Sequence, residues 1–227
     1  MPASAESLFP AARARFAAAG AAFVVCRDGT APLPLAPREG EIAQEMGGRR
    51  QEEFRLGRTC VKAACRLLDL PKPDLLQGAA GEPLWPAGIC GSISHTRDLY
   101  AAVVAPLTRC RSLGLDVERT DRPVSDGAFS LIALPGEEAV LLPACGGEAA
   151  LARIVLFSAK ESFYKLVHPL CGIRFSFDGA RLVTADAGRL VLETTRDLGK
   201  KLPAGWQAEI FREHEGDWIL TGAALPV

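Results

Sequence analysis

The stretch SLGLDVE, residues 112–118, is the segment from which the fold of this chain is best approached. Alternate side chains of a β-strand share a face, so Asp116 and Glu118 would point to one side and Leu115 and Val117 to the other. Two like charges this close repel each other unless a cation lies near them. A solvated edge strand and a strand that helps to bind a cation are therefore the two interpretations.

The totals exclude several classes of protein. A length of 227 residues suits one large domain or two small ones, and a hydrophobic content of 48% argues against disorder. The net charge of −1 predicts neither nucleic-acid nor membrane binding. The seven cysteines contain no CxxC pair, so we expect free thiols in a reducing compartment and no structural zinc.

The N-terminal segment has some features of an export signal. Arg13 and Arg15 precede the apolar residues 16–26, but Glu6 lies before them, and charged residues follow without a small-x-small cleavage site. No apolar run reaches the length that spans a bilayer. We therefore expect a cytoplasmic protein.

Hydrophobic periodicity predicts two long helices. One runs from about Arg49 to Leu68 and ends before Pro71, and the other runs from about Glu148 to Val167, with Pro169 as its stop. Residues 119–147 have the composition of loops.

The rest of the chain predicts antiparallel strands. LYAAVVA and SLGLDVE would form a hairpin, and the C-terminal third would form a β-meander from IRFSF, RLVTA, RLVLET, WQAEIF and DWILTGAAL. A long helix with strands in each half indicates an α+β fold with two closely packed lobes, residues 1–113 and 114–227. No internal repeat is visible in the residues.

Three segments carry residues suited to chemistry: GSISHT (91–96), GLDVE (114–118) and FSAKESFYK (157–165). The first can direct N–H groups, hydroxyls and an imidazole at an anion, or it can simply begin a strand. In the third, Glu161 and Lys165 are helical neighbours, and an ordinary surface ion pair is the alternative. The aromatic residues around that pair favour a functional role.

The charges divide into two groups by ligand preference. Asp116, Glu118 and Glu161 suit a hard cation such as Mg²⁺. A second group of side chains is suited to binding phosphate oxygens: Ser94, His95, Lys165, and Arg50 with Arg58 on one side of the first helix.

The three segments, in this order and at these separations, resemble the signature motifs of the 4′-phosphopantetheinyl transferases. RRQEEFRLGRTCVKAA and GEPLWPAG resemble flanking segments of the enterobactin-synthase and surfactin-type branch. The resemblance covers residues 49–165 directly. It implies a single-chain pseudo-dimer of two similar lobes, with coenzyme A and Mg²⁺ (Mn²⁺ being the alternative ion) in the cleft between them.

The resemblance also implies an activity. The 4′-phosphopantetheine arm of coenzyme A would pass to a serine hydroxyl of an acyl or peptidyl carrier protein, with release of adenosine 3′,5′-bisphosphate. The carrier would belong to a fatty-acid, polyketide, siderophore or other peptide synthase, and the sequence does not say which. A monomer is expected.

The resemblance also implies a role for each residue that stands at a motif position. Asp116, Glu118 and Glu161 match metal ligands, and Glu161 also matches the proposed general base, acting directly or through water. Lys165 matches the lysine that contacts the pyrophosphate and protonates the leaving group. The remaining matches are to phosphate-contacting positions: Ser94, His95, Arg50 and Arg58.

One segment departs from the family pattern. Relatives carry a basic residue before the EP of GEPLWP, where this chain has Ala80 and Gly81. Glu137 and Glu138 are expected to be solvated, and Trp85 to pack its loop onto the core. Two other functions stay open: a Mg²⁺-dependent hydrolase of coenzyme A or a nucleotide, and a non-catalytic module that binds coenzyme A or a carrier.

Overall fold

The computed structural model describes residues 7–79 and 81–227. The chain forms two compact units, one that runs to Leu113 and takes in Leu225–Val227, and one that spans Gly114–Ala224. The last three residues thus belong with the first unit rather than with the second lobe of the sequence prediction. Ala80 lies outside the described residues.

The first unit is a three-stranded antiparallel sheet with helices. Its strands have the order β1-β5-β4, and β2 and β3 form a separate two-stranded ribbon. Its elements in chain order are α1 (Pro10–Ala18), β1 (Ala22–Arg27), α2 (Pro37–Gln44), α3 (Gly48–Leu67), β2 (Leu76–Gln77), β3 (Pro83–Leu84), β4 (Ile89–His95) and β5 (Leu99–Pro106).

The segment with signal-like features is part of this fold. It forms α1 and β1, in which Phe16 and Phe23 are buried with their ring centres 5.6 Å apart. The long helix α3 matches its prediction and packs its apolar stripe against the sheet, where Cys60 and Val61 join a cluster with Tyr100. Five of the cysteines are in this unit, and all five are buried free thiols.

The loop around Trp85 packs onto this core, as predicted. A Cβ atom on Gly91 would lie 2.4 Å from the Trp85 ring, so the first residue of GSISHT must be glycine for the indole to reach its place.

The second unit is built on a five-stranded sheet with the order β6-β10-β9-β8-β7. Its elements are β6 (Cys110–Arg119), α4 (Asp126–Ile132), α5 (Glu137–Leu141), a 3₁₀ turn (Pro143–Cys145), α6 (Ala149–Cys171), a second 3₁₀ turn (Phe177–Gly179), β7 (Ala180–Ala185), β8 (Arg189–Thr194), β9 (Gln207–Glu215) and β10 (Trp218–Pro226). The predicted meander is confirmed for β7 to β10, and the α+β class is confirmed for the chain.

Four local predictions were wrong. β5 and β6 belong to different sheets and form no hairpin. The loop-rich residues 119–147 contain α4 and α5, and IRFSF is not a strand. Pro169 does not stop α6, because it lies in the last turn and the helix ends at Gly172, which adopts the left-handed conformation with φ 66°.

A repeat that the residues do not reveal is present in the structure. Each unit contains a buried ion pair between a glutamate at a short helix and a lysine on the following long helix: Glu39 with Lys62, and Glu137 with Lys160. The glutamate precedes the lysine by 23 residues in the first pair, and the second pair has the same spacing. All four side chains are almost completely buried.

In the first unit, the Glu39 carboxylate accepts hydrogen bonds from the backbone N–H groups of Ala36 (2.8 Å) and Leu75 (3.1 Å). Lys62 also donates to the carbonyl of Pro34 at 2.8 Å. The carboxylate thus joins α2, α3 and the segment before β2.

The second unit repeats these contacts. The Glu137 carboxylate accepts from the N–H groups of Leu134 (2.6 Å) and Leu182 (2.7 Å), and Lys160 donates to the carbonyl of Ile132 at 2.8 Å. In both units a backbone N–H three residues before the glutamate donates to its carboxylate, and the carbonyl that accepts from the lysine lies 28 residues before that lysine. The expectation that Glu137 is solvated was wrong.

Among the described residues, no helix has the length and apolar character needed to cross a membrane.

Candidate functional site

A cavity of about 280 Å³ in the first unit brings together three of the predicted phosphate-binding residues. Arg50 and Arg58 come from α3, where eight residues make a little over two turns and so place both side chains on one side. His95 comes from the end of β4. The polar lining of the cavity therefore includes two guanidinium groups and an imidazole, beside the carboxylate of Glu53, which pairs with Arg49.

Arg58 is held firmly at this cavity. It is 5% exposed, its Nε donates to the carbonyl of Leu75 at 3.2 Å, and its guanidinium carbon lies 4.2 Å from the centre of the Phe54 ring. Burial lowers the pKa of Arg58 to about 10, although Glu39 opposes the shift. Its Nη2 is buried and has no hydrogen-bond partner among the described residues. A buried donor without a partner is costly, and an anion in the cavity would satisfy it.

Ser94 does not line this cavity. Because side chains alternate along β4, the exposed His95 and the half-buried Ile93 share one face, and the buried Ser94 lies on the other. Gly81 does line the cavity, with φ 82°, and adds no charge there. The position where relatives carry a basic residue is thus uncharged at Gly81, and Ala80 lies outside the described residues.

In the second unit, β6 and α6 bring the acidic residues and Lys165 together. Asp116 is 3% exposed, and its Oδ1 lies 2.7 Å from Nζ of Lys165. Leu115 and Val117 are fully buried on the opposite face of β6. The alternation predicted from GLDVE is thus present. β6 is indeed an edge strand of its sheet, but Asp116 on it is not solvated.

The two neighbouring glutamates, Glu118 and Glu161, both have a raised pKa. Burial raises the pKa of Glu118 to about 7, and the Asp116 charge adds to the shift, while Lys165 opposes it. Burial also raises the pKa of Glu161, with Lys165 lowering it and Asp116 raising it. Burial is thus the main cause of both shifts, and a bound cation would relieve the part that comes from repulsion by Asp116.

The close approach of β6 to α6 depends on Gly114. A Cβ atom there would lie 2.1 Å from the backbone oxygen of Ser162. Ser162 in turn donates to the carbonyl of Thr221 at 3.0 Å, which ties α6 to β10.

Gly114→Ala is expected to destabilise the fold by about 2–3 kcal/mol, because backbone would have to move to admit one methyl group. Urea denaturation of the variant measures this. An unchanged midpoint would contradict the close approach of β6 and α6.

Beside Glu161 lies a cavity of about 190 Å³ with an aromatic lining. Tyr164, Phe175 and Phe177 contribute most of its apolar surface, and Lys160 is also at its wall. The ring centres of Tyr164 and Phe175 are 5.0 Å apart. Such a wall keeps Glu161 in a poorly solvated place, which is the main cause of its raised pKa. Sequence reasoning missed Phe175 and Phe177 because their segment was taken for a strand.

The donor chemistry of this cluster fits Mg²⁺, since carboxylate oxygens are its preferred protein ligands and a cation would offset the repulsion between Asp116 and the two glutamates. The described residues contain no group of three or more His, Cys, Asp or Glu side chains already arranged to hold a metal ion. Binding of an ion would therefore require these carboxylates to move, and Lys165 now takes the cationic place beside Asp116.

The raised pKa of Glu118 predicts that stability depends on pH. Between about 4.5, its ordinary value, and about 7, folded Glu118 keeps a proton that the unfolded chain releases. Stability should therefore fall as the pH rises through this window. In Glu118→Gln the fall should be smaller, so the variant should gain stability over the wild type at pH 8 and not at pH 4. Urea denaturation at both pH values measures this, and equal pH slopes would contradict it.

The sequence matches two family models in succession. The model described as the 4′-phosphopantetheinyl transferase N-terminal domain matches residues 38–105, and the model of the 4′-phosphopantetheinyl transferase superfamily matches residues 112–223. The first range contains the cavity arginines and His95, and the second contains the acidic cluster with Lys165.

Several curated proteins are similar to the chain. 4′-Phosphopantetheinyl transferase Svp of Streptomyces mobaraensis is 39% identical over 157 residues, which is 68% of this chain and 63% of Svp. 4′-Phosphopantetheinyl transferase PptT of Mycobacterium tuberculosis is 34% identical over 154 residues, 68% of this chain and 66% of PptT. Both matches span slightly less than two thirds of the relative's length.

4′-Phosphopantetheinyl transferase Npt of Nocardia iowensis is 31% identical over 162 residues, which is 69% of this chain and 72% of Npt. The two family models and this match, which extends over most of a relative's length, agree on one family. The chain therefore belongs to the 4′-phosphopantetheinyl transferase family.

Proposed function

We propose that this protein transfers 4′-phosphopantetheine from coenzyme A to a serine hydroxyl of an acyl or peptidyl carrier protein and releases adenosine 3′,5′-bisphosphate. The observation that carries the proposal is the cluster on β6 and α6. In it Glu161, whose pKa is raised, lies near Lys165, which is paired with the buried Asp116. Family membership supplies the substrate class.

The first unit would hold the phosphates of coenzyme A. Arg50, Arg58 and His95 line one cavity, and the buried Nη2 of Arg58 offers a donor that a phosphate oxygen can accept. We assign the 3′-phosphate to the two arginines. Ser94 is less suited to contact these phosphates, because it lies on the opposite face of β4 from His95.

The second unit would carry the transfer itself. A serine hydroxyl is a weak nucleophile, and Glu161, whose pKa is raised, is suited to accept its proton. The serine oxygen then forms a bond to the β-phosphorus while the bond from that phosphorus to the bridging oxygen breaks. Lys165 neutralises the charge that grows on the leaving phosphate and donates a proton to it.

Mg²⁺, or Mn²⁺ in its place, would be held by Asp116, Glu118 and Glu161. When bound, it would supply positive charge to the pyrophosphate oxygens. The support is the donor chemistry of the three carboxylates together with the repulsion by Asp116 that adds to the raised pKa of both glutamates. A rise in melting temperature of the wild type on addition of Mg²⁺, absent in Glu118→Gln, would support this assignment.

The decisive experiment is a transfer assay. Purified protein, coenzyme A and Mg²⁺ are incubated with a panel of apo carrier proteins, and intact-mass spectrometry should show the addition of one phosphopantetheine group. No addition to any of several diverse carriers would favour a non-catalytic binding module. Rapid release of adenosine 3′,5′-bisphosphate without a carrier would favour a hydrolase instead.

Arg58→Lys should raise the KM for coenzyme A by about tenfold or more with little change in kcat, because a lysine cannot reproduce the forked guanidinium contacts. Arg55→Lys, at an exposed position of the same helix, is the matched control. A large loss of kcat at unchanged KM would contradict the binding role.

We also infer that the two units are divergent copies of one α+β fold, as a pseudo-dimer requires. The support is the repeated pattern of the Glu39–Lys62 and Glu137–Lys160 pairs, each linking a short helix to a long one. A monomer in solution is expected, and sedimentation analysis would test it. The carrier is expected to be acidic, as carriers are as a class.

A further inference from the structure

We propose that Glu39 and Glu137 are positioning residues, each of which fixes the functional side chain of its own unit through the buried lysine pair. The proposal rests on the proposed transferase function and assigns separate tasks to the two pairs. Glu39 would set the position of Arg58 for phosphate binding. Glu137 would set the position of Glu161 for proton transfer.

In the first unit, two hydrogen bonds lead from the pair to the cavity. The Glu39 carboxylate accepts from the N–H of Leu75 at 3.1 Å, and the carbonyl of the same residue accepts from Nε of Arg58 at 3.2 Å. Lys62 lies one helical turn after Arg58 and binds the other oxygen of Glu39. Glu39 itself does not line the cavity, and its hydrogen bonds reach the cavity through Leu75 and Arg58.

The route in the second unit is shorter. Lys160 is the residue before Glu161 on α6, and both line the aromatic cavity. Lys160 is 1% exposed, and its Nζ contacts the Glu137 carboxylate (2.8 Å) and donates to the carbonyls of Ile132 (2.8 Å) and Phe177 (3.2 Å). These contacts fix both the rotation of α6 about its axis and the cavity wall that faces Glu161. Glu137 does not line the cavity.

A stabilising role alone does not explain this arrangement well. A buried ion pair often contributes no more to stability than apolar side chains of similar size, because both charges must lose their water. Each pair also makes at least three hydrogen bonds with backbone groups, drawn from at least two separate segments. These bonds define the orientation of the side chains as well as their distances. Such over-determined contacts are suited to holding a neighbouring group in place.

The test is a comparison of Glu39→Gln with Glu137→Gln. Glu39→Gln should weaken binding of adenosine 3′,5′-bisphosphate, measured by calorimetry, and raise the KM for coenzyme A, both by about tenfold to a hundredfold, with kcat nearly unchanged. Glu137→Gln should lower kcat by a similar factor and leave bisphosphate binding nearly unchanged. Glu41→Gln, exposed on the same helix as Glu39, and Glu138→Gln, next to Glu137, are the matched controls and should leave both quantities at wild-type values.

Because each single variant leaves a buried lysine without its partner, folding must be tested separately. The double variants Glu39→Gln/Lys62→Met and Glu137→Gln/Lys160→Met remove both charges and should melt closer to the wild type. The selective losses should persist in them. Recovery of function together with stability would show that the pairs serve stability alone and would overturn the proposal. Since Lys160 lines the cavity itself, the first double variant is the cleaner case.

The outcomes separate the two proposals. A wild type that neither binds the bisphosphate nor modifies any carrier would refute the transferase function. A wild type that does both, while Glu39→Gln and Glu137→Gln lose kcat and binding in equal measure, would refute the positioning roles and leave the function standing.

Discussion

Glu161→Gln is expected to lower kcat for carrier modification by about a thousandfold or more. Glutamine cannot accept the proton of the serine hydroxyl, and a general base contributes roughly 10²- to 10⁴-fold. Glu161 is also one of the three carboxylates assigned to the cation. Single-turnover assays with saturating coenzyme A and carrier measure the chemical step directly.

The stability of Glu161→Gln, unlike its activity, should not fall. Burial of the Glu161 carboxylate disfavours its charged form, so replacing it with a neutral group of the same shape should leave the melting temperature at pH 8 unchanged or higher. Glu148→Gln, at the exposed residue before α6, is the matched control and should keep wild-type activity. If Glu161→Gln retains more than about a tenth of the wild-type rate, Glu161 is not the base.

Asp116→Asn is expected to lower kcat for carrier modification by about a hundredfold or more. The variant removes the charge that holds Nζ of Lys165 at 2.7 Å and one of the assigned cation ligands. Stabilisation by Mg²⁺ should be lost with the activity. Loss of the Asp116 charge should also lower the pKa of Glu118, because that charge contributes to raising it.

Nuclear magnetic resonance titration of the Glu118 side chain would follow this pKa. Asp121→Asn is the matched control, since Asp121 is exposed in the turn that follows β6 and pairs with Arg119. Near-full activity of Asp116→Asn at saturating Mg²⁺ would show that the metal assignment is wrong.

The sequence predicts the parts of this site that depend on local periodicity. Spacing along α3 places Arg50 and Arg58 on one side, and the alternation in GLDVE separates Asp116 and Glu118 from the buried apolar residues. Alternation also separates Ser94 from His95, although the motif groups them together.

What the sequence could not predict depends on contacts between distant segments. The partner that Lys165 contacts at 2.7 Å is Asp116, 49 residues away, whereas helical spacing pointed only to Glu161. The strand pairing failed for the same reason, because a short connection suggested a hairpin between β5 and β6, whereas the two strands belong to different sheets. Glu137 seemed solvated because exposure of a glutamate depends on whether a distant lysine reaches it.

The repeated ion pairs have an evolutionary consequence. Arg58 lies four residues before Lys62, and the matching place before Lys160 is the buried Leu156; Glu161 follows Lys160, and Ala63 follows Lys62. If the two units are divergent copies of one fold, as proposed above, equivalent helix positions carry different chemical groups in the two units. In a homodimer every substitution occurs twice, but in a fused chain one copy can gain an arginine while the other gains a carboxylate. Fusion would in this way permit the asymmetry that a reaction between two unlike substrates needs.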